Sequence, residues 1–393
     1  MVNVFQIFTN RQFQNIAISH FNTTFGTCLL IPILPVFLQS IGYSETQIGI
    51  IMGSTAVSAL LVRPWVGLQV DKKGSRPVIL VGQVLLIAST LGYWCTTSFL
   101  VLIGLRLLYG IGQALYGTGA VTFASSIGTG ESKSNSIAMY TLTTMFGLGI
   151  SMSLAQSGFD RFGFNVLVGI SIALMAIAFS VMKWRSHPIK VVGERAEKAP
   201  FMEVLKSEVV LATTLSQFAA SFAFSALLTF IPLAALGKGI GLYSLFFMSF
   251  AVAVIASRLF VRNINQFFGL VNAIVYASVT MLMSIALLLF YLSPAILVAS
   301  GVLFGIGFGV VYPAMVLLLV ERISPTNRGT ALGIMIAAGD IGTALSTAIL
   351  GGVAEYHGYG ALFFTTALLL AICTYFFYVI INKKEQADSL QKV

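Results

Sequence analysis

Charge is missing from very long stretches of this chain. Residues 12–44, 77–105, 107–130, 134–159, 162–182, 209–237, 263–320 and 356–382 contain no Asp, Glu, Lys or Arg. A helix crosses the hydrocarbon of a bilayer with about 20 apolar residues, and most of these runs are that long. Composition points the same way. Of 393 residues, 57% are apolar and 9% charged, against about a quarter charged in soluble domains. Too little polar surface exists to coat a soluble globule of this size, so the solvent around most of the chain is lipid.

The 263–320 run is long enough for two crossings, with a turn at Tyr291-Leu292-Ser293-Pro294. The pattern then predicts an all-α membrane protein with spans at 13–39, 46–70, 77–95, 99–127, 135–158, 164–184, 208–234, 242–262, 268–290, 295–320, 329–353 and 360–382. Lys and Arg set the orientation. With twelve spans and the amino terminus inside, Arg11, Lys72, Lys73, Arg76, Lys133, Lys183, Arg185, Lys190, Arg195, Lys198, Lys206, Arg262, Arg322, Arg328, Lys383, Lys384 and Lys392 are cytoplasmic. Only Arg161 and Lys238 are outside, and Arg63, Arg106 and Arg258 fall within spans. Both termini are therefore expected in the cytoplasm of a multi-pass cell-membrane protein, its net charge of +9 facing anionic lipid rather than nucleic acid.

Several function classes drop out. Cys28, Cys95 and Cys373 lie in apolar runs without metal-like spacing and read as small buried residues. No metal site, cofactor or enzymatic activity is expected, because His20, His187 and His357 are isolated and no carboxylate cluster or nucleophile–base motif occurs. No GxxxxGK[ST] loop is present for direct use of ATP. Met1 to Asn10 lacks the basic region and cleavage site of a signal peptide.

The chain repeats itself at an offset of 195 residues. Tyr109-Gly110-Ile111-Gly112 matches Phe304-Gly305-Ile306-Gly307, Asp160-Arg161-Phe162-Gly163-Phe164 matches Glu355-Tyr356-His357-Gly358-Tyr359, Arg63 matches Arg258, and Gly147 matches Gly342. With a small shift, Ile31-Pro32 matches Ile231-Pro232. The domains expected are a six-helix bundle at 1–184, a cytoplasmic linker at 185–207 and a second six-helix bundle at 208–393. Six spans is an even number, so the halves enter the membrane in the same direction, related by an axis along its normal with the substrate site near the midplane.

Local motifs add a resemblance. Gly67 followed by Asp71-Lys72-Lys73-Gly74-Ser75-Arg76 occupies the turn between spans two and three; Gly67 reads as a close-approach glycine and Gly74 as the reversal. This resembles the GxxxD[KR]xG[RK] cytoplasmic gating loop of the major facilitator superfamily, with Ser75 displacing the last Arg by one place. Arg106-Leu107-Leu108-Tyr109-Gly110-Ile111-Gly112 resembles the family's fourth-span RxxxGxG element, and Gly26 with Pro32 and Pro35 resembles the first-span GxxxxxPxxP of drug–proton antiporters. The antiporters' fifth-span motif ends near Gly-Pro; here Gly147-Leu148-Gly149-Ile150-Ser151 keeps glycines without proline. Arg63-Pro64-Trp65-Val66-Gly67, Thr229-Phe230-Ile231-Pro232-Leu233, Val311-Tyr312-Pro313 and Gly339-Asp340-Ile341-Gly342 are similar to pieces of exporters of opine-type metallophores and siderophores. The resemblance implies a monomeric carrier working by alternating access.

Ionisable groups within spans cost roughly 2.5–3.5 kcal/mol at mid-helix and mark pathways. Asp340 lies about 11 residues into span eleven, roughly 16 Å deep, and Arg63 roughly 12 Å deep in span two. The family arrangement sets spans two and eleven face to face, which makes Arg63–Asp340 a candidate pair that breaks and reforms; alternatively Asp340 carries the coupling proton, or the two form a static bridge. Arg106 binds an anionic group or relays protons, or else bonds to carbonyls or Gln113. Asn15, His20, Asn22, Tyr109, Gln113, Tyr116, Tyr140, Gln217, Arg258 and Tyr312 are candidate cavity residues, with His20 also readable as a hydrogen-bonded core histidine. Three arginines against one aspartate make the interior positive. The expected function is proton-coupled export of a small anionic or zwitterionic amphipathic compound such as a metallophore; efflux of hydrophobic drugs and proton-coupled import of an organic anion are the alternatives.

Overall fold

The computed structural model describes residues 10–127, 131–186, 201–290, 292–324 and 326–390. Among them every regular element is helical: α1 (Arg11–Leu29), α2 (Leu34–Ser40), α3 (Glu45–Lys73), α4 (Ser75–Leu91), α5 (Phe99–Ser125), α6 (Glu131–Arg185), α7 (Phe201–Lys206), α8 (Glu208–Gly237), α9 (Ser244–Phe268), α10 (Leu270–Phe290), α11 (Pro294–Arg322) and α12 (Arg328–Leu390). Contacts divide the chain into two compact units, Met1–Glu194 and Arg195–Val393.

Among the described residues, ten helical stretches are long and apolar enough to cross a bilayer. Two of them are double. The 55 residues of α6 would reach about 80 Å if straight, far beyond a hydrocarbon core of about 30 Å. Gly163, at φ +77, breaks the helix, and a side chain on Gly158 would meet Leu167, so the chain doubles back on itself. The 63-residue α12 does the same at Gly358, at φ +81. Left-handed backbone of this kind is open to glycine at little cost. Counting each arm gives twelve crossings. The first is made by α1 and α2 together, interrupted at Leu30–Ile33 where Pro32 removes a backbone donor.

The repeat is visible in packing as well as in sequence. Gly110 brings α5 against Thr55 and Ser58 of α3, while Gly305 brings α11 against Phe250 and Ala253 of α9. Gly112 meets Gly82 and Leu86 of α4, as Gly307 meets Ala277 and Met281 of α10. Thr55 and Phe250, like Gly82 and Ala277, are again 195 positions apart. A further pair escaped the sequence comparison: Gly74 (φ +81) turns α3 into α4, and Gly269 (φ +77) turns α9 into α10. Small residues at these crossings let backbones approach closely, which is how helices associate where lipid removes the hydrophobic drive.

Some expectations need correction. The hydropathy pattern ends the eighth span at 262, but α9 continues to Phe268; Arg262, Asn263 and Asn265 are polar residues on a helix end, not a loop. The expected linker carries a short helix, α7, and its residues 187–200 lie outside the described residues. Cys28 and Cys373 are buried, whereas Cys95 is exposed, because it follows a 3-10 turn (Gly92–Trp94) where the chain leaves α4. A side chain at Gly67 would meet nothing within 4 Å among its neighbours, so that glycine is not a close-approach position.

Candidate functional site

The interior of the first unit is polar in a way a lipid-facing bundle does not require. On α5, Leu100, Val101 and Gly104 form an exposed apolar stripe. At about 100° per residue, Gln113 falls on the opposite side and is exposed there too. Arg106, Tyr109 and Tyr116 share that inward half of the helix and are buried. One helix thus carries an apolar outer face and an aromatic, cationic inner one.

His20 of α1 lies against this inner face. It is buried, its ring stacks on Tyr140 of α6 with centroids 4.0 Å apart, and both nitrogens have partners. Nδ1 is 2.9 Å from the Tyr116 hydroxyl and Nε2 is 2.7 Å from Thr144 Oγ1. Thr144 has one hydroxyl hydrogen and donates it to the Tyr140 carbonyl at 3.1 Å. It must therefore accept from His20 Nε2–H, which leaves Nδ1 to accept from Tyr116. Thr23 bonds the Tyr116 hydroxyl in turn, and Gln83 of α4 donates to Ser19 and Thr23 at 3.0 and 3.1 Å. The histidine is a fully bonded core residue tying α1, α5 and α6 together. Tyr116→Phe strips the donor from His20 Nδ1 and the acceptor from Thr23. It is expected to cost about 1–3 kcal/mol, seen as a drop of several degrees in the thermal midpoint of the detergent-solubilised protein; an unchanged midpoint would refute this assignment.

Arg106 is the opposite case. Only 7% of it is exposed. Nη1 reaches the Tyr93 hydroxyl at 3.5 Å, Nη2 reaches Met52 Sδ at 3.3 Å, and buried Nε has no hydrogen-bond partner. The Tyr109 ring covers the guanidinium, its centroid 5.3 Å from Cζ. Tyr93 and Met52, rather than carbonyls or Gln113, are its neighbours. No carboxylate among the described residues pairs with it. A buried charge with weak partners is expensive, so a sequence that keeps one is expected to use it.

The remaining candidates fall in several places. Asn15 donates to the Arg185 carbonyl at 2.7 Å. Arg76 Nε donates to the Met182 carbonyl at 3.1 Å, and its Nη2 to that of Lys183. Both side chains satisfy the open carbonyls at the end of α6, where a cation also complements the helix dipole. Asn22 bonds Ile18 of its own helix. Asp71 and Lys72 are exposed at the end of α3, and Gly74 makes the reversal there. In the second unit, Arg258 interacts with Tyr312 and keeps a buried Nε without a hydrogen-bond partner. Gln217 bonds Ser221 at 2.9 Å, and both abut Gly339, the neighbour of Asp340. Arg63 and Asp340 are each half-buried, one in each unit.

The second unit holds a connected group of phenylalanines that no sequence motif marks. Phe224 stacks on Phe308 with centroids 4.3 Å apart, backed by Phe246, Phe250 and Phe304. Phe304 and Phe308 stand 195 positions after Tyr109 and Gln113. The same helix face is polar in one repeat and purely aromatic in the other. The offset already known from the sequence contained this signal.

Comparison with known proteins decides the family. The sequence model of the Major Facilitator Superfamily matches residues 16–294 and 266–392. The chain belongs to the major facilitator superfamily. It is 24% identical over 360 residues to the staphylopine export protein of Staphylococcus aureus, covering 86% of this chain and 88% of that one. It is 27% identical over 364 residues to an uncharacterised MFS-type transporter of Burkholderia pseudomallei, covering 87% and 85%. Among solved structures, the nucleoside transporter NupG superposes with a TM-score of 0.74 at 16% identity, over 95% of this chain and 99% of that one. The human organic anion transporter MFSD10 gives 0.67 at 18%, over 93% and 99%. These structural likenesses fix the all-α, twelve-span fold. The protein is accordingly a multi-pass membrane transporter of small molecules.

Proposed function

We propose that this transporter is a proton-coupled exporter of a small anionic or zwitterionic amphipathic compound, of the chemical kind represented by carboxylate-rich metallophores. The observation that carries the charge sign is the unneutralised arginine of the first unit. That residue is Arg106, which no carboxylate among the described residues pairs with. A low-dielectric interior of one sign attracts ligands of the other. Similarity to an exporter of staphylopine supports the outward direction. Asp340 is the proposed coupling carboxylate, with Arg63 as the opposite charge in the cycle, and the Asp71–Arg76 turn as the cytoplasmic gate.

Inside-out vesicles with an acid interior test this reading. A carboxylate-bearing amphipath should accumulate in vesicles containing the protein, and a protonophore should abolish the accumulation. Equal uptake with and without the gradient would rule out proton coupling, and accumulation only under the reversed gradient would make the protein an importer.

A further inference from the structure

An anion-attracting interior does not say which atoms meet the anion or what shape they select. A guanidinium presents two bidentate edges, Nη1–Nη2 and Nε–Nη2. At Arg106, Nη1 turns to the Tyr93 hydroxyl, Nη2 has only the thioether of Met52, and Nε has no partner. A thioether sulfur is a weak acceptor. The Nε–Nη2 edge therefore carries hydrogens that no oxygen takes, in a side chain that is 93% buried by difference from its 7% exposure. Tyr109 covers one face of the plane, so a ligand reaches this edge within the plane rather than from above. Met52 stands at the edge on a flexible, unbranched side chain that repacks easily.

We infer that the Nε–Nη2 edge of Arg106 is a subsite for one carboxylate group, bound side-on in the plane of the guanidinium, with Met52 filling the place of the ligand when it is absent. This inference rests on the anionic-substrate reading and narrows it to a chemical group. Two coplanar oxygens match the fork directly. A phosphate or sulfonate brings a third oxygen out of that plane, which on one side is covered by the Tyr109 ring. Tyr93 holds the other end of the guanidinium and fixes the direction in which the open edge points.

Equilibrium binding to the full-length protein in nanodiscs, with no pH gradient, tests the subsite independently of transport. Benzoate, benzamide and phenylphosphonate serve as matched probes, alongside citrate as a second carboxylate. The expected result is binding of the carboxylates at least tenfold tighter than of benzamide or phenylphosphonate. Arg106→Lys, which keeps the charge and loses the fork, should weaken benzoate at least tenfold. Met52→Glu supplies a tethered carboxylate to the same edge, so it should raise the thermal midpoint and abolish benzoate binding. That variant keeps the test decisive if Arg106→Lys folds poorly. Wild-type affinity in Arg106→Lys, undiminished binding in Met52→Glu, or preference for phenylphosphonate would each overturn the subsite, as would a wild-type protein that binds neither carboxylate. Loss of gradient-driven uptake with binding intact would instead count against the proton coupling alone.

Discussion

Asp340→Asn is expected to lower gradient-driven accumulation at least tenfold, while the protein reaches the membrane in normal amount and still exchanges substrate across it without a gradient. Asp340 lies in the first arm of α12, in a segment held tightly to α8. Gly339 abuts Gln217 and Ser221, and Gly342 abuts the Phe218 backbone. The helix is thus fixed by its glycines, and asparagine preserves the size of the side chain, so packing should survive. What is lost is a group that ionises. A carrier that alternates without taking up a proton still equilibrates its substrate and no longer concentrates it. Reading both accumulation and counterflow separates this from simple inactivation. Near-normal accumulation in Asp340→Asn would move the coupling site elsewhere.

The second large effect concerns the fold. Gly110→Leu places a side chain against the Thr55 carbonyl and Ser58 of α3, backbone that cannot rotate away. Gly305→Leu does the same against Phe250 and Ala253 of α9. Overpacking in a tight core costs about 1–3 kcal/mol, occasionally more. Here a whole helix must shift, so loss of the monodisperse protein on size exclusion in detergent is expected for both variants. Gly104 is the internal control: it lies six residues before Gly110 on the same helix, and a side chain there meets nothing within 4 Å. Gly104→Leu should leave the elution profile unchanged. Equal damage at all three positions would show that glycine is needed for the helix itself rather than for its crossings.

Much of this architecture is legible in the sequence because lipid imposes a simple rule. Charge-free runs of about 20 residues must become spanning helices, and the spans predicted from them begin and end within a few residues of most helix ends. The repeat was legible for a similar reason, since Gly110 and Gly305 stand where backbones touch. Other features depend on partners that a one-dimensional pattern does not name. Asn15 looked like a cavity residue, yet its amide is committed to the end of α6, some 170 positions away in the chain. Arg76 belongs to a motif read as a gate, yet its guanidinium caps that same helix end. The polar C-terminal end of α9 hides the true length of its helix, because Arg262 and Asn263 signal a loop to any hydropathy argument while costing a helix nothing at a wet boundary. His20 and Arg106 are instructive together. Both are isolated polar residues in apolar runs, and only the geometry separates the bonded histidine from the under-bonded arginine.

The charge sign of the substrate is the most exposed part of the account, and one transport measurement reaches it. Two amphipaths sharing the same apolar body, one ending in a carboxylate and the other in an ammonium, are offered to inside-out vesicles under an identical pH gradient. The unneutralised Arg106 predicts concentrative uptake of the carboxylate and only background entry of the ammonium. Preferential accumulation of the ammonium would contradict the account.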